Sequence, residues 1–159
     1  MNNNIIINMK PIGTIEPQEN GVDIVLHKGF GNGLLGLEGF SHVLVLWQFD
    51  KVEWQEGVVS FASPYKSYQG EMGIFATRGP FRPNGIALCV CKILSIDVEG
   101  GRLTVDWTEA DPQSPVLDIK PFHPCSDIVG DVQVPSWCGH WPKSREASAE
   151  FDWESEFTF

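Results

Sequence analysis

The chain has few basic residues for its length. Its 11 Lys and Arg stand against 21 Asp and Glu, which gives a formal net charge of −10. This balance excludes a broad basic face for nucleic acid and leaves only a local one possible. No apolar run is long enough to span a membrane, and residues 1–8 lack the basic start and long apolar core of a signal peptide. We therefore expect a cytoplasmic protein that does not bind a membrane.

Cysteine is also scarce, and the four present (Cys89, Cys91, Cys125 and Cys138) follow no zinc-binding spacing. Cys89 and Cys91 lie two residues apart in an apolar run, so in a strand their side chains share one face and pack as small core residues. The glycine-rich stretch 29–33 lacks the Lys and Ser/Thr of a phosphate-binding loop. We predict reduced structural thiols and no metal site.

Short apolar runs with a period of two dominate the rest of the chain, separated by turn-forming residues. They predict strands at residues 5–9, 21–27, 42–49, 58–62, 73–76, 86–97, 102–108 and 116–119. Residues 31–38 and 143–150 are predicted to be short helices, and residues 99–101 a hairpin turn. This pattern is typical of a mainly β protein, most simply a small closed β-barrel with short helical insertions.

Residues 75–84 form a stiff loop, because their glycine and proline residues exclude a regular helix. The loop carries Arg78 and Arg82, and arginines held in this way suit carboxylates, phosphates and the flat faces of rings. Either arginine could instead pair with an acidic residue and brace the loop. For Arg78 the two interpretations are equally favoured. Arg82 precedes Pro83, where the backbone is most restrained, and ligand contact is favoured there.

Asp118 and Lys120 lie at the end of a predicted strand that prolines delimit. Alternation places both side chains on one face, where they can form an ion pair. An exposed pair contributes little stability, and the functional alternative is a carboxylate that binds ribose hydroxyls, a cation or an amine proton. Ser41 and His42 are adjacent, so in a strand they would point to opposite faces, which argues against a nucleophile–base pair.

Four blocks of the sequence resemble the TsaA-like domain, the methyltransferase domain of the tRNA methyltransferase O family. They are Ile12-Gly-Thr-Ile15, Leu37-Glu-Gly-Phe-Ser-His42, Gly73-Ile-Phe-Ala-Thr-Arg-Gly-Pro-Phe-Arg-Pro-Asn84 and Val116-Leu-Asp-Ile-Lys-Pro121. The resemblance implies a small β-barrel that binds S-adenosylmethionine, usually across a homodimer, and methylates N6 of threonylcarbamoyladenosine in tRNA. We expect one domain over residues 1–159, with a core at about 10–128 and a C-terminal extension at 129–159.

The resemblance also implies which residues contact the cofactor. By position these are Arg82, Leu117, Asp118, Ile119, Lys120, Asp50, Lys51 and Cys91 or Lys92. Three further candidates come from the third block: Phe75, Arg78 and Asn84. Arg82 or Lys120 would meet the carboxylate of S-adenosylmethionine, and Asp118 its ribose or amine. Phe75 or Phe81 would stack on the adenine. Asp118 is also the candidate for accepting the proton that the methyl acceptor loses.

The chain departs from the family pattern in ways that bear on its substrate. Asp50 stands where His is common, a Gln-Pro-Gly segment near the N terminus is missing or shortened, and the second domain that longer members use on tRNA is absent. Together with the negative charge, these departures weaken the case for tRNA as a partner, since phosphate contacts need several cations. A methyltransferase acting on a small molecule, or a non-catalytic S-adenosylmethionine-binding module, therefore stays open.

Overall fold

The computed structural model of the protein describes residues 7–159. The strands in these residues are β1 (Gly13–Gln18), β2 (Gly21–Leu26), β3 (His42–Gln48), β4 (Ser60–Ala62), β5 (Glu71–Gly73), β6 (Ile86–Asp97), β7 (Arg102–Val105) and β8 (Pro115–Pro121). The helices are α1 (Pro124–Asp127), α2 (Arg145–Ser148) and 3₁₀ turns at Gly31–Leu34, Ile74–Ala76, Ser136–Cys138 and Trp153–Ser155. No helix in this part of the chain is long and apolar enough to cross a membrane.

Six strands close into an antiparallel barrel in the order β1-β2-β7-β6-β3-β8. β3 pairs with β6 along its whole length on one side and with β8 on the other, so it is the central strand of one wall. The predicted hairpin turn joins β6 to β7, with Asp97 opposite Arg102. The structure confirms the mainly β fold, the closed barrel and the short helical pieces that the sequence predicts.

Several predicted bounds need correction. β1 was not predicted, because Glu16 and Pro17 interrupt the apolar pattern, yet it forms by pairing with β2 and β8. Residues 74–76 were predicted as strand but form a 3₁₀ turn, closed by a hydrogen bond from Thr77 Oγ1 to the carbonyl of Ile74 at 2.9 Å. In the predicted strand 5–9, residues 7–9 are not in a strand, and residues 5 and 6 lie outside the described residues.

The side chains that point into the barrel form its core. The most buried of them are Ile15, Ile24, Val43, Val45, Leu103, Val105, Val116 and Cys91. The backbones of β1 and β2 approach closely at Gly13. A Cβ on this residue would lie 2.4 Å from the carbonyl oxygen of Val25. Only glycine therefore lets β1 approach β2 so closely there.

The chain divides into two compact units. The first comprises the described residues through Trp54 together with Pro80–Asp127, and it contains the barrel. The second comprises Gln55–Gly79 and Ile128–Phe159, and it contains the β4–β5 sheet. The one-domain organisation expected from the sequence stays a prediction.

An aromatic cluster organises the second unit. Tyr65 stacks on Trp137 with ring centroids 5.2 Å apart and meets the edge of Trp141 at 5.1 Å. Glu156 accepts hydrogen bonds from Trp141 Nε1 and His140 Nε2, each at 2.9 Å. These contacts hold the pKa of the Glu156 carboxyl below its ordinary value of 4.5, the Trp141 bond being the largest cause. The carboxylate thus fixes the C-terminal residues against the cluster.

The lowered pKa of Glu156 predicts that its contribution to stability is lost at low pH. A group whose pKa is lower in the folded state stabilises the fold above its ordinary pKa, and loses this effect as pH falls through the folded value. We expect Glu156→Gln to lower the thermal midpoint at pH 7 and the difference from wild type to shrink below pH 4.5. Near-ultraviolet circular dichroism, which reports aromatic packing, measures both. A difference that stays constant down to about pH 2 would contradict the role of the carboxylate.

Candidate functional site

Residues 80–85 of the first unit, which include Arg82 and which we call the arginine loop, are tied to the end of β3. Phe49 N–H donates to the carbonyl of Gly85 at 2.7 Å, and Gly85 N–H donates to the carbonyl of Arg82 at 3.2 Å. Gly85 has φ +56°, in the left-handed region that favours glycine. These bonds hold the backbone of Arg82 and Asn84 next to Asp50, which follows Phe49 directly. The structure therefore brings together two segments that are about 30 residues apart in the sequence.

Asp50 and Lys51 are tied in turn to the loop that precedes β8. Ser114 Oγ donates to Asp50 Oδ1 at 3.4 Å, and Lys51 Nζ donates to the carbonyl of Pro112 at 3.1 Å. Lys51 Nζ also lies 3.6 Å from Asp111 Oδ2. The arginine loop, the end of β3 and the start of β8 consequently meet at one end of the barrel.

A β-bulge in β8 sets the direction of the next predicted site residues. Leu46 pairs with Asp118, but Trp47 pairs with Val116, so Leu117 is the extra residue. The bulge shifts the alternation of side chains along β8. Val116 and Ile119 point into the barrel, whereas Asp118 points outward. Bulges of this kind often lie next to binding sites, because they redirect a side chain.

Asp118 and Lys120 both point outward and form the predicted ion pair, with Lys120 Nζ 2.6 Å from Asp118 Oδ2. Asp118 Oδ1 also accepts a hydrogen bond from Ile119 N–H at 2.9 Å. We call the outward side of β3, β6 and β8 the outer face; its side chains are His42, Leu44, Leu46, Gln48, Ile86, Leu88, Val90, Lys92, Asp118 and Lys120. The ion pair thus borders an apolar surface.

Three predicted residues do not belong to the outer face or to the barrel end. Phe75 and Arg78 belong to the second unit, and the Phe75 side chain is 81% exposed. The side chain of Cys91 is fully buried in the barrel core, where its Sγ lies 3.3 Å from Cys89 Sγ. Hydrogen bonds, first from Cys91 and then from Thr108, lower the pKa of Cys89 to about 7 against the opposing effect of burial. Cys91 therefore faces the core and not the outer face, and its predicted contact with a cofactor stays a prediction.

The sequence argument against a contact between Ser41 and His42 is wrong. Ser41 Oγ lies 2.8 Å from His42 Nδ1. The rule that neighbours point to opposite faces applies only inside a strand, and β3 begins at His42, so Ser41 lies in the bend before it. The signal that could have revealed this contact is the position of the pair at a strand start, where the backbone is not yet extended.

The fold and the site define a small antiparallel β-barrel domain related to S-adenosylmethionine-dependent methyltransferases. Residues 8–128 match the tRNA-methyltransferase O N-terminal domain, and the chain belongs to this family.

Proteins of known sequence and structure agree with this assignment. An S-adenosyl-L-methionine-binding protein of Archaeoglobus fulgidus is 37% identical over 111 residues, 70% of this chain and 76% of its own length. The human tRNA (adenine(37)-N6)-methyltransferase is 37% identical over 104 residues, which are 65% of this chain but 23% of the human protein. The crystal structure of TrmO from Pseudomonas aeruginosa is similar with a TM-score of 0.62 and 29% identity, over 81% of this chain and 62% of that one.

Two ion pairs on the barrel are expected to contribute very differently to its stability. The side chains of Asp118 and Lys120 are 45% and 56% exposed. We therefore expect Asp118→Asn to change the free energy of unfolding by less than about 1 kcal/mol. Asp23 is 5% exposed and accepts hydrogen bonds from the Arg102 guanidinium and from Thr104 Oγ1, so Asp23→Asn should cost about 2 kcal/mol.

Chemical denaturation of wild type and the two variants measures their free energies of unfolding. The two losses can be compared directly, because both variants replace Asp with Asn. Equal losses of stability would mean that the Asp118–Lys120 pair is a structural element of the barrel.

Proposed function

We propose that this protein binds S-adenosylmethionine and transfers its methyl group. The observation that carries the proposal is that the barrel end with Arg82 and Asp50 and the outward Asp118–Lys120 pair belong to residues 8–128, the part that matches the methyltransferase family. Relatives named for binding S-adenosyl-L-methionine support the choice of cofactor.

The chemistry of these side chains fits the proposed cofactor. Its carboxylate suits the guanidinium of Arg82 or the ammonium of Lys120, and its ribose diol or amine suits the carboxylate of Asp118. Leu117 would add an apolar contact and Ile119 a backbone contact beside the pair, and Asp50, Lys51 and Asn84 would line the barrel end. Arg78 and Phe75 of the second unit are proposed for the cofactor's carboxylate and adenine on the family pattern alone.

When bound, the cofactor supplies a methyl group on a sulfonium, which is already a good leaving group. The task that remains for the protein is to place the acceptor in line with that methyl group and to receive a proton. A rigid arginine loop tied to β3 and a strand pinned by a bulge are suited to such placement, because both have a fixed backbone.

A homodimer is part of the proposal. On the outer face the apolar side chains of Ile86 and Leu88 are 41% and 42% exposed, next to the proposed cofactor residues. Exposed apolar side chains beside a binding site are typical of a surface that another molecule covers. A second copy of this chain would exclude water from both outer faces through one symmetric contact.

Cofactor binding is the first test of the proposal. We expect wild type to bind S-adenosylmethionine in isothermal titration calorimetry, and Asp118→Asn or Lys120→Gln to weaken binding about 10-fold or more, since each removes a charged hydrogen-bonding partner. Glu99→Gln and Lys28→Gln make the same changes of charge at exposed turns and should leave the affinity unchanged. Unaltered affinity in both outer-face variants would remove these residues from the proposed site.

The proposed methyl acceptor is N6 of threonylcarbamoyladenosine in tRNA, in line with the name of the human relative. A small-molecule acceptor is the second candidate, and the distribution of charge favours it. The first unit holds 7 Lys and Arg against 13 Asp and Glu, and the second holds 4 against 8, so neither unit is basic. A third candidate, a binding module without catalysis, is favoured by relatives named only for binding.

The acceptor is identified by following labelled methyl groups. With methyl-labelled S-adenosylmethionine and tRNA from cells that lack the endogenous enzyme, we expect label at N6 of threonylcarbamoyladenosine and none in tRNA without the threonylcarbamoyl group. Because the protein is acidic, tRNA binding should be weak and should weaken further as salt is raised. Label found only in a small-molecule fraction would support the second candidate, and cofactor binding without any transfer would support the third.

A further inference from the structure

His42 is the first residue of β3 on the outer face, and Ser41 hydrogen-bonds to its ring. Ser41 Oγ lies 2.8 Å from Nδ1. Within residues 7–159, Ser41 is the only hydrogen-bond partner of the ring, so Nε2 has no bond to a protein group. The ring is partly exposed. The structure therefore holds a histidine by one nitrogen and leaves the other available to a ligand.

The position of His42 continues the row of proposed cofactor residues. The carbonyl of His42 accepts a hydrogen bond from Phe122 N–H at 3.0 Å, and the two rings meet edge to face with centroids 6.4 Å apart. Leu44, the next outward residue of β3, pairs with Lys120. Diagonal neighbours on one face of a sheet lie about 7–8 Å apart, so His42 is next to Lys120.

Asp118 is less suited to accept a proton than its position suggests. Its Oδ2 lies 2.6 Å from Lys120 Nζ, and its Oδ1 accepts a hydrogen bond from Ile119 N–H at 2.9 Å. Both oxygens of Asp118 therefore already have donors, and an incoming proton would have to displace one of them. Among residues 7–159, no group donates to Nε2 of His42.

We propose that His42 Nε2 accepts the proton that the methyl acceptor loses, with Ser41 as the positioning residue. This role rests on the proposed methyl transfer. The new N–C bond forms as the methyl–sulfur bond breaks, and the electron pair of the broken bond stays on sulfur. The N–H electrons stay on the acceptor nitrogen, and its proton passes to Nε2, which leaves an imidazolium. For Nε2 to have a free lone pair, Nδ1–H must donate to Ser41 Oγ.

Charged groups surround the ring on both neighbouring strands. Lys92 of β6 is directly opposite His42 in the ladder, and Lys120 of β8 is the diagonal neighbour. Asp106 Oδ1 accepts a hydrogen bond from Lys92 N–H at 2.9 Å, which places a carboxylate near the same edge. Any measured titration of His42 includes the effect of these groups, so variants are compared at each pH with wild type.

The tautomer of His42 tests the proposal without any turnover. In ¹⁵N-histidine-labelled protein at a pH where the ring is neutral, we expect the proton on Nδ1, although free histidine favours the Nε2–H form. Ser41→Ala should abolish this preference, and Ser41→Thr should keep it. A proton on Nε2 in wild type would overturn the proposal, because Nε2 would then have no lone pair to offer.

Methyl transfer supplies the second test. We expect His42→Gln to lower the turnover rate at least about 100-fold while the affinity for S-adenosylmethionine stays unchanged, as a general base contributes about 10²–10⁴. The wild-type rate should rise with pH to a plateau, as for a base that must be neutral to act, and His42→Gln should lose this rise. Added imidazole should partly restore His42→Ala.

His123→Gln is the matched control, because His123 lies in the same unit and packs its ring against Phe40 at 5.2 Å. It should keep the wild-type rate and pH profile. A wild-type rate in His42→Gln would overturn the proposal. If wild type itself transfers no methyl group, the proposed function fails before any substitution, and the role of His42 as proton acceptor is rejected with it.

Discussion

The bulge at Leu117 is the constraint on which the candidate site depends. β8 must supply apolar side chains to the core and also present two charged ones to water, and strict alternation from Val116 would turn Asp118 inward. A carboxylate inside this barrel would face apolar residues such as Val45, at a large cost in desolvation. One extra residue shifts the register, so that Ile119 packs against the core while Asp118 and Lys120 reach the outer face.

The filled interior decides where a ligand can bind. A barrel of six strands is too narrow to enclose a cofactor, and its interior is occupied by apolar side chains, two thiols and the ring of Trp47. The proposed cofactor would therefore bind on the outside of the wall or at the loops at its ends. The outer face offers a stretch of wall next to an end loop, because β3 runs from His42 at one end of the barrel to the arginine loop at the other. An open face is wet, which is the physical reason why a covering second subunit is part of the proposed function.

The sequence predicted the fold better than the site, for reasons that individual residues illustrate. Ile86–Asp97 was predicted with its observed bounds, because apolar residues alternate along it and a Glu-Gly-Gly turn ends it. β1 was missed, since its strand character comes from pairing with two neighbours and not from its own composition. The Asp118–Lys120 pair was predicted because the two residues are close in sequence. The contact of Asp50 with Ser114 joins residues 64 apart, and only the closed barrel brings them together.

Charge bears differently on the two parts of the proposed function, cofactor binding and tRNA binding. Binding the carboxylate of a small cofactor needs one or two cations at defined positions, and Arg82 and Lys120 are proposed for this role despite the net charge of −10. Binding a polyanion such as tRNA needs many cations over a wide surface, and in neither unit do Lys and Arg outnumber Asp and Glu. Proton transfer needs a base whose lone pair is not already engaged. Asp118 is engaged by Lys120, whereas in residues 7–159 the His42 ring is hydrogen-bonded through one nitrogen only. The proposal accordingly gives binding and proton acceptance to different side chains of the same outer face.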